Sequence, residues 1–256
     1  MMASARFSPW KTLDQRLNEG EMLRQSLPQV KINFPRLSMV KSCAMIGCGY
    51  GHLDLEFVCG CLPNVTELTA VEPDEDQMKE LKTRVAQLLP TVATNFYQAT
   101  AQEWNGGEKV FDAVLLFHFL YYVPLSERRT LFKQLFDNVV ASGGLVVVLI
   151  QPTNLDNSCG LIRLWNFLNL LSNNWMEHID EAQICDMMTS VGFQDCYQLS
   201  MKGHMDVEVN DDFIELFVFW SRGRLSQDQV RDAVKELFGS EKIVPNEMWL
   251  GVFRKP

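Results

Sequence analysis

The chain has 256 residues, of which 47% are hydrophobic and 21% charged, an ordinary composition for one large globular domain. Its formal net charge of -9 disfavours a nucleic acid or an anionic membrane as the main partner, because phosphates are bound chiefly through surplus Lys and Arg. The 7 cysteines have no framework spacing and no long apolar run occurs, so we expect reduced thiols and a cytoplasmic protein.

Short apolar runs alternate with helix-period segments from Ser42 onward, which is typical of a largely parallel sheet covered by helices. Strands are predicted at residues 42–47, 67–72, 92–98, 111–118 and 143–150. Helices are predicted between them at residues 52–61, 78–88 and 126–139. The fourth and fifth strands are nearly all apolar, as strands covered on both faces should be.

The alternation breaks at residues 151–176, a long segment rich in Leu, Asn and Trp that predicts an added helix or lid. Capping patterns then predict helices after Asp180 and Ser226. The remaining predicted elements are strands at 194–201 and 247–254 and a helix at 211–220. We expect a single domain with N-terminal lid helices (1–40), a cofactor-binding core (41–150) and a substrate-capping insertion with C-terminal strands (151–256).

Three glycines, Gly47, Gly49 and Gly51, follow the first strand in the stretch MIGCGYGHLDL. Such a turn lets the backbone approach a ligand and points helix N-terminal amides at it, although ligand-free turns have the same pattern. Glu72 ends the second strand, where its carboxylate can accept hydrogen bonds from ribose hydroxyls. The two features together predict a nucleoside cofactor.

The glycine spacing favours S-adenosylmethionine over NAD, because the third glycine is not placed as a pyrophosphate requires. The C-terminal half also lacks a second mononucleotide-binding half, and Gly192-Phe193 before the sixth strand is frequent in class I methyltransferases. We therefore expect the Rossmann-like α/β fold of that class, with seven strands, mostly parallel, and an antiparallel last strand. A catalytically inactive methyltransferase-like binding protein remains an alternative, whereas an NAD-dependent oxidoreductase is disfavoured by the C-terminal half.

Three stretches resemble blocks of histamine N-methyltransferase in order and at similar spacing: MIGCGYGHLDL, AVEPDEDQ (Ala70 to Gln77) and LLFHFLYYV (Leu115 to Val123). The similarity extends weakly from about Leu27 to the C-terminus. The resemblance implies cofactor contacts from the glycine loop, from the end of strand two, from the region beside the adenine and from the end of strand four. These residues are Gly47, Gly49, Gly51, Glu72, Gln77, Thr100, Ala101 and Phe117, with Ala101 replacing a hydroxylated residue of the family.

The same resemblance implies where the methyl acceptor binds. Its pocket would be lined by Glu19, His118, Tyr121, Tyr122, Trp165, Phe217 and Asn246. Glu21 competes with Glu19 for the role of the family's N-terminal glutamate. This sequence departs from the family at His118 (glutamine there), Leu161 (tryptophan) and Met176 (cysteine). An acceptor related to histamine is therefore supported as well as histamine itself.

The predicted reaction is an in-line transfer of a methyl group to a neutral nitrogen held about 3 Å from the methyl carbon. We expect His118, Tyr122 and Asn246 to be the catalytic residues. His118 would accept a proton or form a hydrogen bond, Tyr122 would stabilise positive charge, and Asn246 would reach the substrate amine. Purely structural roles stay open for each, as does an oxygen or sulfur acceptor. We expect a monomer without a metal or membrane partner.

Overall fold

The computed structural model describes residues 13, 16–107, 109–153, 159–172, 179–221 and 223–256. Seven strands form one sheet in the order β3-β2-β1-β4-β5-β7-β6. They are β1 (Ser42–Ile46), β2 (Glu67–Val71), β3 (Ala93–Tyr97), β4 (Phe111–Phe117), β5 (Val140–Ile150), β6 (Gln194–Asp206) and β7 (Ile243–Arg254). Strands β1 to β5 pair in parallel and β7 pairs antiparallel with β5, which confirms the predicted sheet.

The α-helices alternate with these strands along the chain. They are α1 (Glu19–Asn33), α2 (His52–Cys61), α3 (Glu75–Leu88), α4 (Leu125–Gln134), α5 (Gly160–Ser172), α6 (Glu181–Ser190), α7 (Asp211–Trp220) and α8 (Gln227–Phe238). Short 3-10 turns occur at Pro35–Met39 and Leu120–Tyr122. No helix in the described parts of the chain is long and apolar enough to cross a bilayer.

Side-chain caps explain where several helices begin. Asp74, Asp180 and Asn210 each accept a hydrogen bond from a backbone N–H of the following helical turn, which satisfies a donor that the helix itself leaves unpaired. Ser226 and Gln229 bond reciprocally in a complete capping box, as predicted.

The core lies on both faces of β1, β4 and β5, whose apolar side chains are buried almost throughout. Helix α2 contributes the fully buried Leu55, Phe57 and Val58. The ring of Phe57 meets that of Phe117 edge-on, with centroids 5.6 Å apart. This pair fixes one face of α2 against the C-terminal end of β4.

Contacts divide the chain into two compact units. The sheet unit comprises residues 20–152, 178–201 and 248–256, and contains β1 to β5 with most of β7. The helix unit comprises residues 1–19, 153–177 and 202–247, within which α8 packs against both α5 and α7. Inside it, Arg163 on α5 donates a hydrogen bond to the carbonyl of Leu237 at 2.8 Å. A single domain for residues 1–256 stays a prediction.

Several element boundaries differ from the predicted ones. The helix predicted at 126–139 is α-helical only to Gln134 and continues as a π-helical turn (Leu135–Val139). Strands β6 and β7 are longer than predicted, because β6 continues through polar residues to Asp206 and β7 begins ahead of Pro245. The predicted inserted helix is α5, whereas Met176 lies outside the described residues. Of the predicted N-terminal lid, α1 and Pro35–Met39 are described.

Candidate cofactor and substrate site

The glycine loop connects β1 to α2 through three left-handed backbone positions. Gly47, Gly49 and Gly51 have φ angles of 63°, 54° and 73°. The N–H of Gly47 donates to the carbonyl of Val71 at 2.8 Å, which ties the loop to the end of β2. A side chain at Gly49 would place its Cβ 2.6 Å from Oε1 of Gln77. The backbone angle favours glycine there, whereas the end of the flexible Gln77 side chain could shift away from a Cβ.

Glu72 joins the loop to the start of α3. One carboxylate oxygen accepts a hydrogen bond from the N–H of Gly49 at 2.8 Å, and the other accepts one from the N–H of Asp74 at 3.0 Å. Burial raises the pKa of Glu72, and these two backbone hydrogen bonds oppose the rise. The carboxylate of Glu72, which is predicted to bind the ribose, is therefore held in place at the C-terminal end of β2.

The predicted adenine-side residues follow β3. The hydroxyl of Thr100 donates to the carboxylate of Glu103 at 2.8 Å, and the same carboxylate accepts from the N–H of Thr100 at 3.0 Å. Ala101 is buried. Thr100 thus closes a turn with Glu103, an arrangement readable from its T-x-x-E pattern that we did not predict. Its hydroxyl is committed to Glu103.

The end of β4 places two predicted residues differently. The side chain of Phe117, predicted to contact the cofactor, lies in the core against Phe57. His118 follows with a φ of 53°, alone in the left-handed region among the described non-glycine residues. Its N–H donates to the carbonyl of Leu149 at 2.9 Å. Such strain concentrates at functional sites and requires support from the surrounding structure.

That support comes from Tyr121. The N–H of Gln151 donates to the Tyr121 hydroxyl, whose own hydrogen faces either Nδ1 of His118 at 3.2 Å or the carbonyl of Gln151 at 3.4 Å. The shorter distance favours donation to Nδ1, which leaves the ring proton of neutral His118 on Nε2. Tyr121 therefore holds the ring of His118 through Nδ1.

The protonation state of His118 follows from its surroundings. Burial, and secondarily the charge of His52, lower the pKa of His118 to about 4. The ring is therefore neutral at pH 7. This weakens the interpretation that His118 accepts a substrate proton and favours a hydrogen-bonding role.

The two neighbouring tyrosines differ in exposure. Tyr121 is buried and stacked beside His118, with ring centroids 6.1 Å apart. Tyr122 is 49% exposed and meets Tyr121 edge-on, with centroids 6.5 Å apart. Tyr121 thus supports His118, whereas Tyr122 offers an accessible aromatic face.

The other predicted substrate residues belong to the helix unit. Glu19, Trp165, Phe217 and Asn246 are all buried. Oδ1 of Asn246 accepts a hydrogen bond from the Cys159 thiol at 3.4 Å. Phe217 packs against Phe213. Glu21 is exposed and accepts a hydrogen bond from Gln25. The buried Glu19 is therefore the better candidate for the glutamate predicted to bind the substrate.

Asp54 is a residue of this region that we did not predict. It lies in the first turn of α2, is 3% exposed, and its Oδ1 has no hydrogen-bond partner within the residues the structure describes. Burial raises the pKa of Asp54 well above its usual range, and the charge of Glu72 adds to the rise. The spacing of Asp54 from Phe57 and Val58 already places it on the buried face of the helix.

Comparison with known proteins identifies the class of this site. Residues 44–144 match a family model described as a methyltransferase domain. No curated protein matches the chain in sequence. The match begins in β1 and covers the glycine loop, Glu72 and the end of β4.

Solved structures share the fold over almost the whole chain. The YcgJ protein from Bacillus subtilis is 15% identical, with 92% of this chain and 98% of that chain covered and a TM-score of 0.61. N-methyltransferase NodS from Bradyrhizobium japonicum, in complex with S-adenosyl-L-homocysteine, is 15% identical, with 97% and 98% covered and a TM-score of 0.57. Magnesium protoporphyrin IX methyltransferase from Synechocystis, with bound S-adenosylmethionine, is 12% identical, with 99% and 92% covered and a TM-score of 0.54.

The sheet order and the similarity to these structures show a class I methyltransferase fold, and residues 44–144 within it are similar to a methyltransferase domain. The particular resemblance to histamine N-methyltransferase stays a prediction, as do the roles of the individual site residues.

Proposed function

We propose that the chain is an S-adenosylmethionine-dependent N-methyltransferase that acts on a small amine or imidazole, such as histamine or a related metabolite. The observation that carries the cofactor part is the carboxylate of Glu72, fixed by the N–H groups of Gly49 and Asp74 at the end of β2. Each oxygen of an ionised carboxylate has two acceptor positions, so this one retains capacity for two ribose hydroxyls. The donor and acceptor set therefore fits the nucleoside.

When bound, S-adenosylmethionine supplies an electrophilic methyl group on a sulfonium. The task of the chain is to hold an acceptor lone pair in line with that group and to exclude water. We assign the positioning hydrogen bond to neutral His118, whose ring is held by Tyr121. The exposed face of Tyr122 would stabilise positive charge on the acceptor.

Glu19 and Asn246 would supply recognition of the amine, as the resemblance implies. Glu19 and Asn246 are buried polar side chains in a unit otherwise rich in apolar ones. A carboxylate and an amide oxygen are suitable partners for an ammonium or an imidazole N–H. Methylation of an oxygen or sulfur acceptor is the second candidate; unlike a neutral amine, such an acceptor has to lose its proton, and the low pKa of His118 makes it a weak base for that step.

The proposal is tested in two steps. Calorimetric titration should show binding of S-adenosylmethionine and no binding of NAD. A mass-spectrometric screen of biogenic amines and imidazoles with the cofactor should then show a gain of one or more methyl groups on nitrogen. Reaction of oxygen or sulfur acceptors alone would contradict the N-methyltransferase assignment. Cofactor binding with no acceptor methylated would favour the catalytically inactive binding protein.

A further inference from the structure

We propose that Asp54 binds the ammonium group on the amino-acid part of S-adenosylmethionine. The inference rests on the proposed cofactor and names a residue for a part of it that Glu72 does not reach. It starts from a side-chain oxygen of Asp54 that is buried and has no hydrogen-bond partner within the described chain. A buried carboxylate without a partner is costly, and a bound cation offsets that cost.

The position of Asp54 follows from the packing of α2. Asp54 and Phe57 lie one turn apart on the buried face of the helix, and Phe57 meets Phe117 at the end of β4. Asp54 is the member of this face nearer to the helix N-terminus and hence to the glycine loop. That location is where β1 and β4 diverge to α-helices on opposite sides, the crevice in which open α/β sheets bind ligands.

The two carboxylates at this crevice have different surroundings. Both oxygens of Glu72 accept backbone N–H groups, which keeps that side chain at the end of β2. Burial raises the pKa of the Cys48 thiol in the loop, and Asp54 adds to the rise, so Asp54 lies near the loop. If the ribose of S-adenosylmethionine lies at Glu72 and its amino-acid part extends toward β4, the charged groups of that part come close to Asp54. Of those groups, the ammonium is the one that a carboxylate attracts.

The test compares two ligands on two proteins. The ligands are S-adenosyl-L-homocysteine and its analogue in which hydrogen replaces the amino group, and the proteins are the wild type and Asp54→Asn. We expect Asp54→Asn to weaken binding of S-adenosyl-L-homocysteine by about tenfold or more, the size of a charge-assisted hydrogen bond, and to change binding of the analogue by less than about twofold. Equal effects on both ligands, or no effect on either, would overturn the assignment.

Two further measurements separate the possible failures. Glu72→Gln should weaken both ligands alike, because it removes charge from the ribose site that they share. If Asp54→Asn does not fold, Asp54→Ser is used in its place, and the loss of the amino group from the ligand must still weaken binding to the wild type by about tenfold. Failure of the wild type to bind S-adenosyl-L-homocysteine would refute the proposed function, whereas binding unaffected by Asp54→Asn would refute this inference alone.

Discussion

Glu72 combines two tasks in one side chain, because it closes the loop structurally and presents acceptor positions to a ribose. We expect Glu72→Ala to weaken binding of S-adenosylmethionine by about 1.5 to 3 kcal/mol, through the loss of charge-assisted hydrogen bonds. Calorimetric titration measures the change. Glu75→Ala is the matched control, since Glu75 is exposed in the first turn of α3. Equal affinities of Glu72→Ala and the wild type would remove Glu72 from the site.

His118 makes the stability of the fold dependent on pH. Its pKa is about 4 in the folded chain and near 6.5 when unfolded, so between these values the unfolded state binds more protons. The contribution of His118 is fully present above about pH 6.5 and is lost as the pH falls to 4, by on the order of 3 kcal/mol in total. Urea unfolding at pH 7, 5.5 and 4 measures the loss.

The comparison that isolates His118 is the variant His118→Asn. Asparagine tolerates a left-handed backbone and does not titrate, so its free energy of unfolding should fall less between pH 6.5 and 4 than that of the wild type. His204→Asn provides the control for a histidine that is partly exposed. Parallel pH dependences of His118→Asn and the wild type would show that His118 is not buried in its neutral form.

At the level of residues, sequence patterns located the loop and Glu72 because those positions follow directly from strand ends. They did not show that Thr100 is bonded to Glu103, that the side chain of Phe117 lies in the core, or that Asp54 is buried. The burial of Phe117 depends on which neighbours the fold brings near, whereas the turn between Thr100 and Glu103 was readable from its local T-x-x-E pattern. Asp54 was readable from helical spacing, since three residues further along lies the buried Phe57.

The loop between β1 and α2 is an element whose shape depends on glycine. Gly47→Ala would bring a Cβ within 2.6 Å of the Cβ of Phe119 at a φ of 63°, whereas Gly107→Ala has a similar φ of 66° and nothing within 4 Å of its added Cβ. We expect Gly107→Ala to cost about 1 kcal/mol of stability, from backbone strain alone. Gly47→Ala should cost more, because the new Cβ meets the root of the buried Phe119 side chain, and it should also weaken binding of S-adenosylmethionine.

Urea unfolding and calorimetric titration distinguish the two glycine variants. Gly49→Ala should resemble Gly107→Ala in stability, because its new Cβ meets only the end of the flexible Gln77 side chain, which can shift. If Gly47→Ala and Gly107→Ala were equally stable and both bound cofactor normally, the close approach of Phe119 would have no energetic consequence.

Element boundaries were predictable where a hydrophobic pattern begins and ends sharply. Helices α2 and α7 have the predicted bounds, and β1 to β4 differ from theirs by one residue at one or both ends. Strands β6 and β7 are longer than predicted. The additional segments contain polar residues or Pro245, which do not favour a strand by composition, and it is pairing with neighbouring strands that makes them part of the sheet. The π-helical turn after Gln134 has no signal in side-chain periodicity.

For the whole molecule, the way in which the chain passes repeatedly between the two units predicts cooperative unfolding. Each unit consists of three separate pieces of chain, and β6 and β7 each contribute residues to both. We therefore expect one calorimetric transition, with equal calorimetric and van't Hoff enthalpies. Two resolved transitions would contradict this and would also contradict a single domain over residues 1–256.

The same calorimetric experiment tests the cofactor at this scale. S-adenosylmethionine at one hundred times its dissociation constant should add about 2.7 kcal/mol to the free energy of unfolding, because it binds only the folded state. NAD at the same concentration should leave the transition midpoint unchanged. A midpoint raised by NAD and not by S-adenosylmethionine would favour an oxidoreductase.

The largely parallel character of the sheet was predictable from the sequence, since strand and helix alternate regularly up to Ile150. The division into two units was not, because the pieces of the helix unit are distant along the chain.

The left-handed backbone at position 118 restricts how the enzyme could be re-engineered. A saturation library at this codon should be dominated among folded clones by asparagine, aspartate and glycine, whose backbones enter that region most readily. Glutamine, which the resembled family has at this position, would either adopt the strained left-handed backbone or require a different orientation of the peptide. Attempts to change acceptor preference by a direct swap at 118 should therefore include compensating changes near Leu149, where its N–H is anchored.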